Sequence, residues 1–407
     1  MQEDAKINSL SNFYLVVWWI LSVGLIFVSR IFILNQLILW VVIPMLFVVV
    51  LFKSGFSVAG RNNGVVFYFL FFLWACLSLI YSVNVPLTVN YLQAMIGNVI
   101  IWVITATAVY HAKDIYSYLI PVFLVAIFHA YFGLTIQPEV VSERVVGRAQ
   151  GLTSNANQLG FLMWYGIVVG SLMLLLTPKL AVRLMIIAAM LFLVIALFKS
   201  GSRKSLAAVA VFGMVAGFMI LKRKHQGLMI FLVLAGVIVY NVAFDLLLAN
   251  TTVGARLERD NLEGGAAVRL LLINDGIKFF LSSPLVGIGL GSFSNFSTTG
   301  QVAHNDYIEI LASMGLPAFL LYMAIFHDYY KKCIIVGRSK KYPNFFVIAA
   351  GFGIGHLFLG SGRPAFLDPA ALLVFAMFHG FLHKIYDEQV ELEEQEQYAA
   401  LPDTQPQ

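Results

Sequence analysis

The chain has 407 residues, of which 60% are hydrophobic and only 12% are charged, and its formal net charge at pH 7 is +5. Repeated uncharged runs of about 18 to 22 residues have the length that crosses the core of a bilayer. This composition excludes an ordinary soluble protein, and no nucleic-acid partner is expected. The runs are continuously apolar, whereas the strands of a membrane barrel alternate over about ten positions. The sequence therefore predicts an all-α, polytopic integral membrane protein.

Twelve apolar runs predict about twelve transmembrane helices. In chain order they lie near residues 13–29, 31–52, 64–82, 93–110, 116–136, 158–177, 180–198, 204–221, 227–248, 303–326, 344–360 and 368–386. Glu3, Asp4 and Lys6 precede the first run, and no small-residue cleavage pattern follows it. No cleavable signal peptide is therefore expected.

The runs divide the chain into four regions. A nine-helix membrane region covers residues 1–248, one long periplasmic (outer) loop covers 249–302, and three further membrane helices cover 303–386. Residues 387–407 are rich in Glu and Gln and poor in apolar residues. This composition predicts a disordered, acidic cytoplasmic tail.

Positive charge predicts the orientation in the membrane. With a cytoplasmic N-terminus, the cytoplasmic loops hold 15 of the 26 lysines and arginines, so both termini are expected in the cytoplasm. The segments Lys222–Lys224 and Lys331–Lys341 are explained by this topology alone. The lysines and arginines in the predicted outer loops are not explained by the preference of these residues for the cytoplasmic side. They are therefore the better candidates for function.

The outer loop contains an amphipathic segment. Residues 266–282 predict a helix that lies on or partly in the membrane surface, because Arg269, Asn274, Asp275 and Lys278 interrupt an apolar pattern. Ser283 and Pro284 end this helix, and the glycine-rich residues that follow predict a flexible link to His304. The glycine run is not a nucleotide-binding fingerprint, because neither the strand nor the helix of that motif flanks it.

Four segments carry motif-like residues in an order typical of one family. They are Gly147–Gly151 with Asn155 and Asn157, Ser200–Arg203, Arg269 with the stretch 283–291, and His304–Gly315. Over roughly the second two thirds of the chain, this pattern resembles the O-antigen ligase and polymerase superfamily of bacterial envelope glycan assembly.

The resemblance implies a glycosyltransferase in the bacterial cytoplasmic (inner) membrane, with its active site facing outward. Its donor would be a glycan on undecaprenyl diphosphate, and a hydroxyl of an acceptor glycan would displace the lipid diphosphate. The resemblance also implies that no metal and no cofactor take part, that a histidine at His304 is catalytic, and that Arg203 and Arg269 bind the diphosphate.

The chemistry of His304 agrees with this role. A sugar hydroxyl is a poor nucleophile, and a base within hydrogen-bond reach contributes roughly 10² to 10⁴ in rate. The N-terminal edge of a helix disfavours the imidazolium form and would keep His304 neutral. The alternative is a structural histidine bonded to a loop carbonyl. Asp306 and Glu309 are predicted to form a capping pair for the same helix, although Asp306 could instead orient the histidine.

Fixed cations would stabilise a departing diphosphate, and the fork of Arg suits phosphate oxygens better than Lys. For Arg203 the alternative is a snorkelling residue at a helix end, which is the expectation for Lys204. Arg148 and Arg363 are further candidates for carrier phosphate or sugar. Asn157 could contact glycan or cap its helix, and Asn305 and Asp306 are further candidates for substrate contact.

Several alternatives stay open. A single direct displacement predicts inversion at the anomeric carbon, since the sequence offers no paired carboxylates for a covalent intermediate. A polymerase would join lipid-linked repeat units, whereas a ligase would use lipid A core as the acceptor; the compact outer segment favours the polymerase. A flippase for lipid-linked sugars is the alternative of another class. Membrane lipids and a chain-length regulator are the remaining candidate partners.

Overall fold

The structure, a computed structural model, describes residues 2–27, 37–136, 148–153, 155–220, 259–339, 342, 344–362 and 365–399. These ranges contain α-helices and no strand, and eight of the helices are long and apolar enough to cross a membrane. The prediction of an all-α, polytopic membrane protein is therefore confirmed.

Fourteen α-helices occur in the described residues. The first seven are α1 (Gln2–Phe27), α2 (Ile43–Ser54), α3 (Ser57–Arg61), α4 (Asn63–Cys76), α5 (Val85–Tyr110), α6 (Ile115–Thr135) and α7 (Ala156–Leu176). The others are α8 (Leu180–Ser200), α9 (Arg203–Ile220), α10 (Arg259–Ser282), α11 (Phe293–Phe296), α12 (Asp306–Val336), α13 (Phe345–Gly360) and α14 (Pro369–Ala399).

Eleven of the twelve predicted spans coincide with described helices. The predicted span at 227–248 lies outside the described residues. The segment Ile38–Ser54, which joins a π-helical turn to α2, and helix α13 are apolar but shorter than the eight long spans. The number of twelve spans therefore stays a prediction.

Helix α12 lies at the centre of the bundle. It packs against α4, α10, α13 and α14, while α14 also runs along α5. Large aromatic side chains fill the space between these helices, and Trp102, Tyr329 and Phe378 are fully buried. This packing brings α10 against the N-terminal half of α12, close to the loop that carries His304.

Helix α12 is broken at Gly315, which has a φ of 76° and is followed by a proline at position 317. The break leaves the carbonyl groups before it without helical partners. Backbone N–H groups of the glycine run bind two of these carbonyl groups. The N–H of Ile288 donates to the carbonyl of Ala312 at 2.9 Å, and the N–H of Gly289 donates to that of Ser313 at 3.0 Å. The indole of Trp74 donates to the carbonyl of Met314 at 2.9 Å.

The glycine run is held in place and is not the flexible link that the sequence predicts. A Cβ atom on Gly287 would lie 2.3 Å from the carbonyl carbon of Ser313, and one on Gly315 would lie 2.3 Å from the oxygen of Leu285. Glycine is needed here because two backbones approach closely at positive φ. On its other side the run is bound by Thr88, whose hydroxyl donates to the carbonyl of Leu290 at 2.6 Å.

Most of the segment predicted as a disordered tail is described as helix. Helix α14 continues through Asp387 to Ala399, and only residues 400–407 of the predicted tail lie outside the described residues. Glu, Gln and Ala are good helix formers, and the buried part of α14 has already nucleated the helix. The amide of Gln389 donates to Glu393 at 3.2 Å, one turn further on.

Replacing Gly287 by Ala tests the backbone pairing. The substitution would force a Cβ into the backbone of Ser313 at a φ of 71°, and we expect the free energy of unfolding to fall by about 1–3 kcal/mol. Gly97→Ala is the control, because a Cβ there meets no atom within 4 Å. Thermal unfolding of the detergent-solubilised protein measures both; equal stability of the two variants would contradict the pairing.

Candidate functional site

His304 lies in the loop that precedes α12 and has a strained backbone. Its φ is 52°, the only positive φ at a non-glycine position among the described residues. Such a conformation is uncommon outside functional sites and turns. The next residue, Asn305, is the N-cap of α12: its side-chain oxygen accepts from the N–H groups of Tyr307 at 3.0 Å and Ile308 at 3.3 Å.

Glu309 also holds the segment that carries His304. Its carboxylate accepts from the N–H of Ala303 at 2.9 Å and from the hydroxyl of Ser313 at 3.3 Å. Asp306, the other member of the predicted capping pair, has a different partner: it is fully buried and accepts from the hydroxyl of Tyr322 at 3.0 Å. The cap of α12 is therefore built by Asn305 and Glu309.

Two cations face the imidazole of His304. Although part of this side chain is exposed, its surroundings lower its pKa by desolvation, and the charges of Lys204 and Arg269 lower the pKa further. Lys204 comes from the start of α9 and Arg269 from α10, so three distant parts of the chain meet here. Both effects favour the neutral form of His304, and a base near two positive charges is suited to a site that binds an anion beside a proton acceptor.

Lys204 also links two elements. Its ammonium donates to the carbonyl of Gly362, in the loop that follows α13. The loop is therefore held near His304 by the same cation that acts on the imidazole. Arg363, a predicted substrate-binding residue, follows Gly362 but lies outside the described residues.

Helix α10 is fixed on one side and exposed on the other. Leu272 is fully buried against Phe293 and Ala312, whereas Leu270 and Leu281 are 61% and 68% exposed. The exposed apolar side is what a helix at a membrane surface requires. Its observed N-terminus, at residue 259, precedes the predicted one at 266.

Asp275 joins α10 to the loop before His304. Its carboxylate accepts from the backbone N–H of Thr298 at 2.8 Å and from the Thr298 hydroxyl at 3.0 Å. The backbone N–H of Thr298 is the main reason that the pKa of Asp275 lies below its ordinary value. Asp275 therefore attaches the loop before His304 to α10, the helix that carries Arg269.

Arg148 and Asn157 form a separate pair. The Arg148 side chain is buried and donates from Nε to the carbonyl of Ser200 at 2.9 Å and from a terminal nitrogen to Asn157 at 2.9 Å. These bonds tie the 148 segment to the turn at which α9 begins. The helix cap that the sequence offered for Asn157 is supplied by Asn155, which accepts from the N–H of Gln158 at 3.0 Å.

Arg203 is the first residue of α9 and is half-buried. Its role in diphosphate binding stays a prediction. Among the described residues, no three His, Cys, Asp or Glu side chains are grouped so that they could hold a metal ion.

Residues 187–323 match the family model described as O-Antigen ligase. This match confirms the resemblance to the O-antigen ligase and polymerase superfamily. It covers about a third of the chain and includes Lys204, Arg269 and His304, whereas Arg148 and Asn157 precede it. A search of curated proteins finds no match to the chain.

Within the segment that matches the family model, Lys204 is a candidate site residue that sequence reasoning missed. The Ser200–Arg203 motif drew attention to Arg203, and Lys204 was expected to snorkel. Both residues begin α9; the charge of Lys204 acts on His304, whereas the role of Arg203 stays a prediction.

Asp275→Asn tests the attachment of the His304 loop. An amide oxygen is a weaker acceptor than a carboxylate, so we expect faster hydrogen–deuterium exchange at residues 293–303. In the unchanged protein, protection of the same residues relative to the intrinsic exchange rate should fall when the pH falls through the lowered pKa of Asp275, because protonation removes the same charge. Asn274→Ala, at an exposed neighbouring position, should leave the exchange unchanged; an equal increase in that control would refute the role of Asp275.

Proposed function

We propose that the chain is a metal-independent, inverting membrane glycosyltransferase that transfers or polymerises oligosaccharide repeat units from undecaprenyl diphosphate to an acceptor glycan. The single observation that carries this proposal is that burial and the positive charges of Lys204 and Arg269 all lower the pKa of His304, which favours its neutral form. All three residues lie in the segment that matches the O-antigen ligase family. The proposed site faces outward from the cytoplasmic membrane.

His304 acts as the general base in this proposal. The acceptor hydroxyl oxygen forms a bond to the anomeric carbon, its proton passes to an imidazole nitrogen, and the bond from that carbon to the diphosphate oxygen breaks. The diphosphate leaves with the electron pair. A base that is already neutral can accept the proton without first losing one, which is what the lowered pKa of His304 provides.

Arg269 and Lys204 stabilise the leaving diphosphate. Its negative charge grows as the bond breaks, and fixed cations in a partly desolvated site stabilise that charge more strongly than water does. Arg203, adjacent to Lys204, is the third proposed cation. One displacement on one carbon inverts the configuration, so the product linkage is expected to be opposite to that of the donor.

The acceptor distinguishes two forms of this proposal. The short outer segment between Arg269 and His304 favours a polymerase, whereas the description of the matched family favours a ligase that uses lipid A core. Purified protein is supplied with defined undecaprenyl-diphosphate repeat units, with and without lipid A core. Longer lipid-linked glycans indicate a polymerase, modified core indicates a ligase, and a change in the sidedness of the lipid alone would indicate a flippase.

His304→Ala tests the base. We expect the transfer rate in this assay to fall by about 10² to 10⁴ because no group remains to accept the hydroxyl proton. The protein should still insert and elute as the unchanged protein does. His327→Ala is the matched control, since His327 is an exposed histidine in the C-terminal half of α12. Near-normal transfer by His304→Ala would refute the assignment.

Lys204→Met tests the electrostatic arrangement. Removing this charge removes one cause of the lowered pKa of His304, so the pKa should rise. Because the neutral imidazole is the active form, the acid limb of the pH–rate profile should move to higher pH. The variant should also bind the donor more weakly. Lys199→Met, at the end of α8, is the control; an unshifted acid limb in Lys204→Met would exclude Lys204 from the site.

A further inference from the structure

A second group of charges lies far from His304. Asp328, about six helical turns after Asp306 in α12, is bound by Lys332 at 2.5 Å and by Nε2 of His379 in α14 at 3.0 Å. The amide of Asn63 donates to the other oxygen of Asp328 at 3.1 Å. Lys332 belongs to the segment that the sequence explained by topology, yet it is only 3% exposed.

Burying such a group is costly. Desolvation of two charges can exceed their mutual attraction, so a buried ion pair is weak support for stability. Ionisable side chains within a membrane bundle more often mark a site that uses them. The proposed reaction makes no use of Asp328 or Lys332, since His304 is at the opposite end of α12.

A cavity of about 350 Å³ opens beside this ion pair. Its positive walls come from two elements: Arg61 ends α3, and Lys331 and Lys332 belong to α12. These residues are predicted to lie on the cytoplasmic side. With that orientation, the cavity is expected at the level of the lipid headgroups of the inner leaflet.

The negative wall comes from a third element. Asp387, Glu391 and Glu394 of α14 line the same cavity, and their spacing of four and three residues places them on one face of the helix. This face exists because α14 continues through the residues predicted to be disordered. His383, which is 5% exposed, also lines the cavity, and its Nε2 atom has no hydrogen-bond partner among the described residues.

We propose that this cavity binds a zwitterionic phosphoethanolamine headgroup. The phosphate lies toward Arg61 and Lys331, and the ammonium lies toward Glu391 and Glu394. The carboxylates of α14 would repel a headgroup that carries only a phosphate. A zwitterion places its phosphate near the cations and its ammonium near the carboxylates. The inner leaflet is the nearest source of such a group.

Binding to the purified full chain tests the proposal. Native mass spectrometry in detergent compares retention of phosphatidylethanolamine and phosphatidylglycerol with the same acyl chains, and titration with soluble glycerophosphoethanolamine tests the headgroup alone. We expect phosphatidylethanolamine to be retained several-fold more strongly. Competition by the soluble compound indicates that the headgroup suffices, whereas retention of the lipid without such competition indicates that the acyl chains are also needed. Equal retention of the two lipids would overturn the proposal.

Two exposed positions allow the walls to be tested without disturbing the buried ion pair. Lys331→Gln and Glu391→Gln should each weaken retention of phosphatidylethanolamine by about five-fold, the effect of one hydrogen bond of about 1 kcal/mol. Arg338→Gln and Glu396→Gln are matched controls, because they are exposed on or just beyond the same two helices and do not line the cavity. Unchanged retention in both wall variants would refute the site.

Discussion

Backbone hydrogen bonding in an apolar solvent is the constraint on which this structure depends. A helix that breaks inside a membrane exposes carbonyl groups that lipid cannot satisfy. At Gly315 the bonds are supplied by the N–H groups of Ile288 and Gly289 and by the indole of Trp74. The segment after α10 must therefore return to α12 in one register, and that return determines where His304 lies.

Several hydrogen bonds from different helices hold the loop that carries His304. Asn305 and Glu309 fix the start of α12, and Asp275 ties the preceding loop to the helix that carries Arg269. The ammonium of Lys204 donates a hydrogen bond to the carbonyl of Gly362, in the loop that follows α13. None of these contacts is strong by itself. Together they connect the loop that carries His304 to α10, the helix that carries Arg269, and Lys204 to the loop after α13.

Hydrophobic runs predicted most of the fold, because the length of a bilayer span is a property of local sequence. Helix α10 and the importance of His304 and Arg269 were also accessible from local pattern and motif. The failures have physical causes. Residues 387–399 have a composition shared by disordered tails and by extended helices, and only the buried part of α14 decides between them.

Other features depended on contacts between distant residues. The glycines at 287–291 suggested flexibility, but the structure uses them for close approach to Ser313. Arg148 looked like a free outer cation, yet its guanidinium binds the carbonyl of Ser200. Lys204 and Arg203 are chemically similar neighbours, and sequence alone does not say which of them faces His304. Each of these features concerns a tertiary partner, which local pattern does not encode.

The interruption at Gly315 also separates α12 into two mechanical units. Each half has its own ladder of hydrogen bonds, so a small rotation of the C-terminal half around Asp328 is not transmitted rigidly to the imidazole.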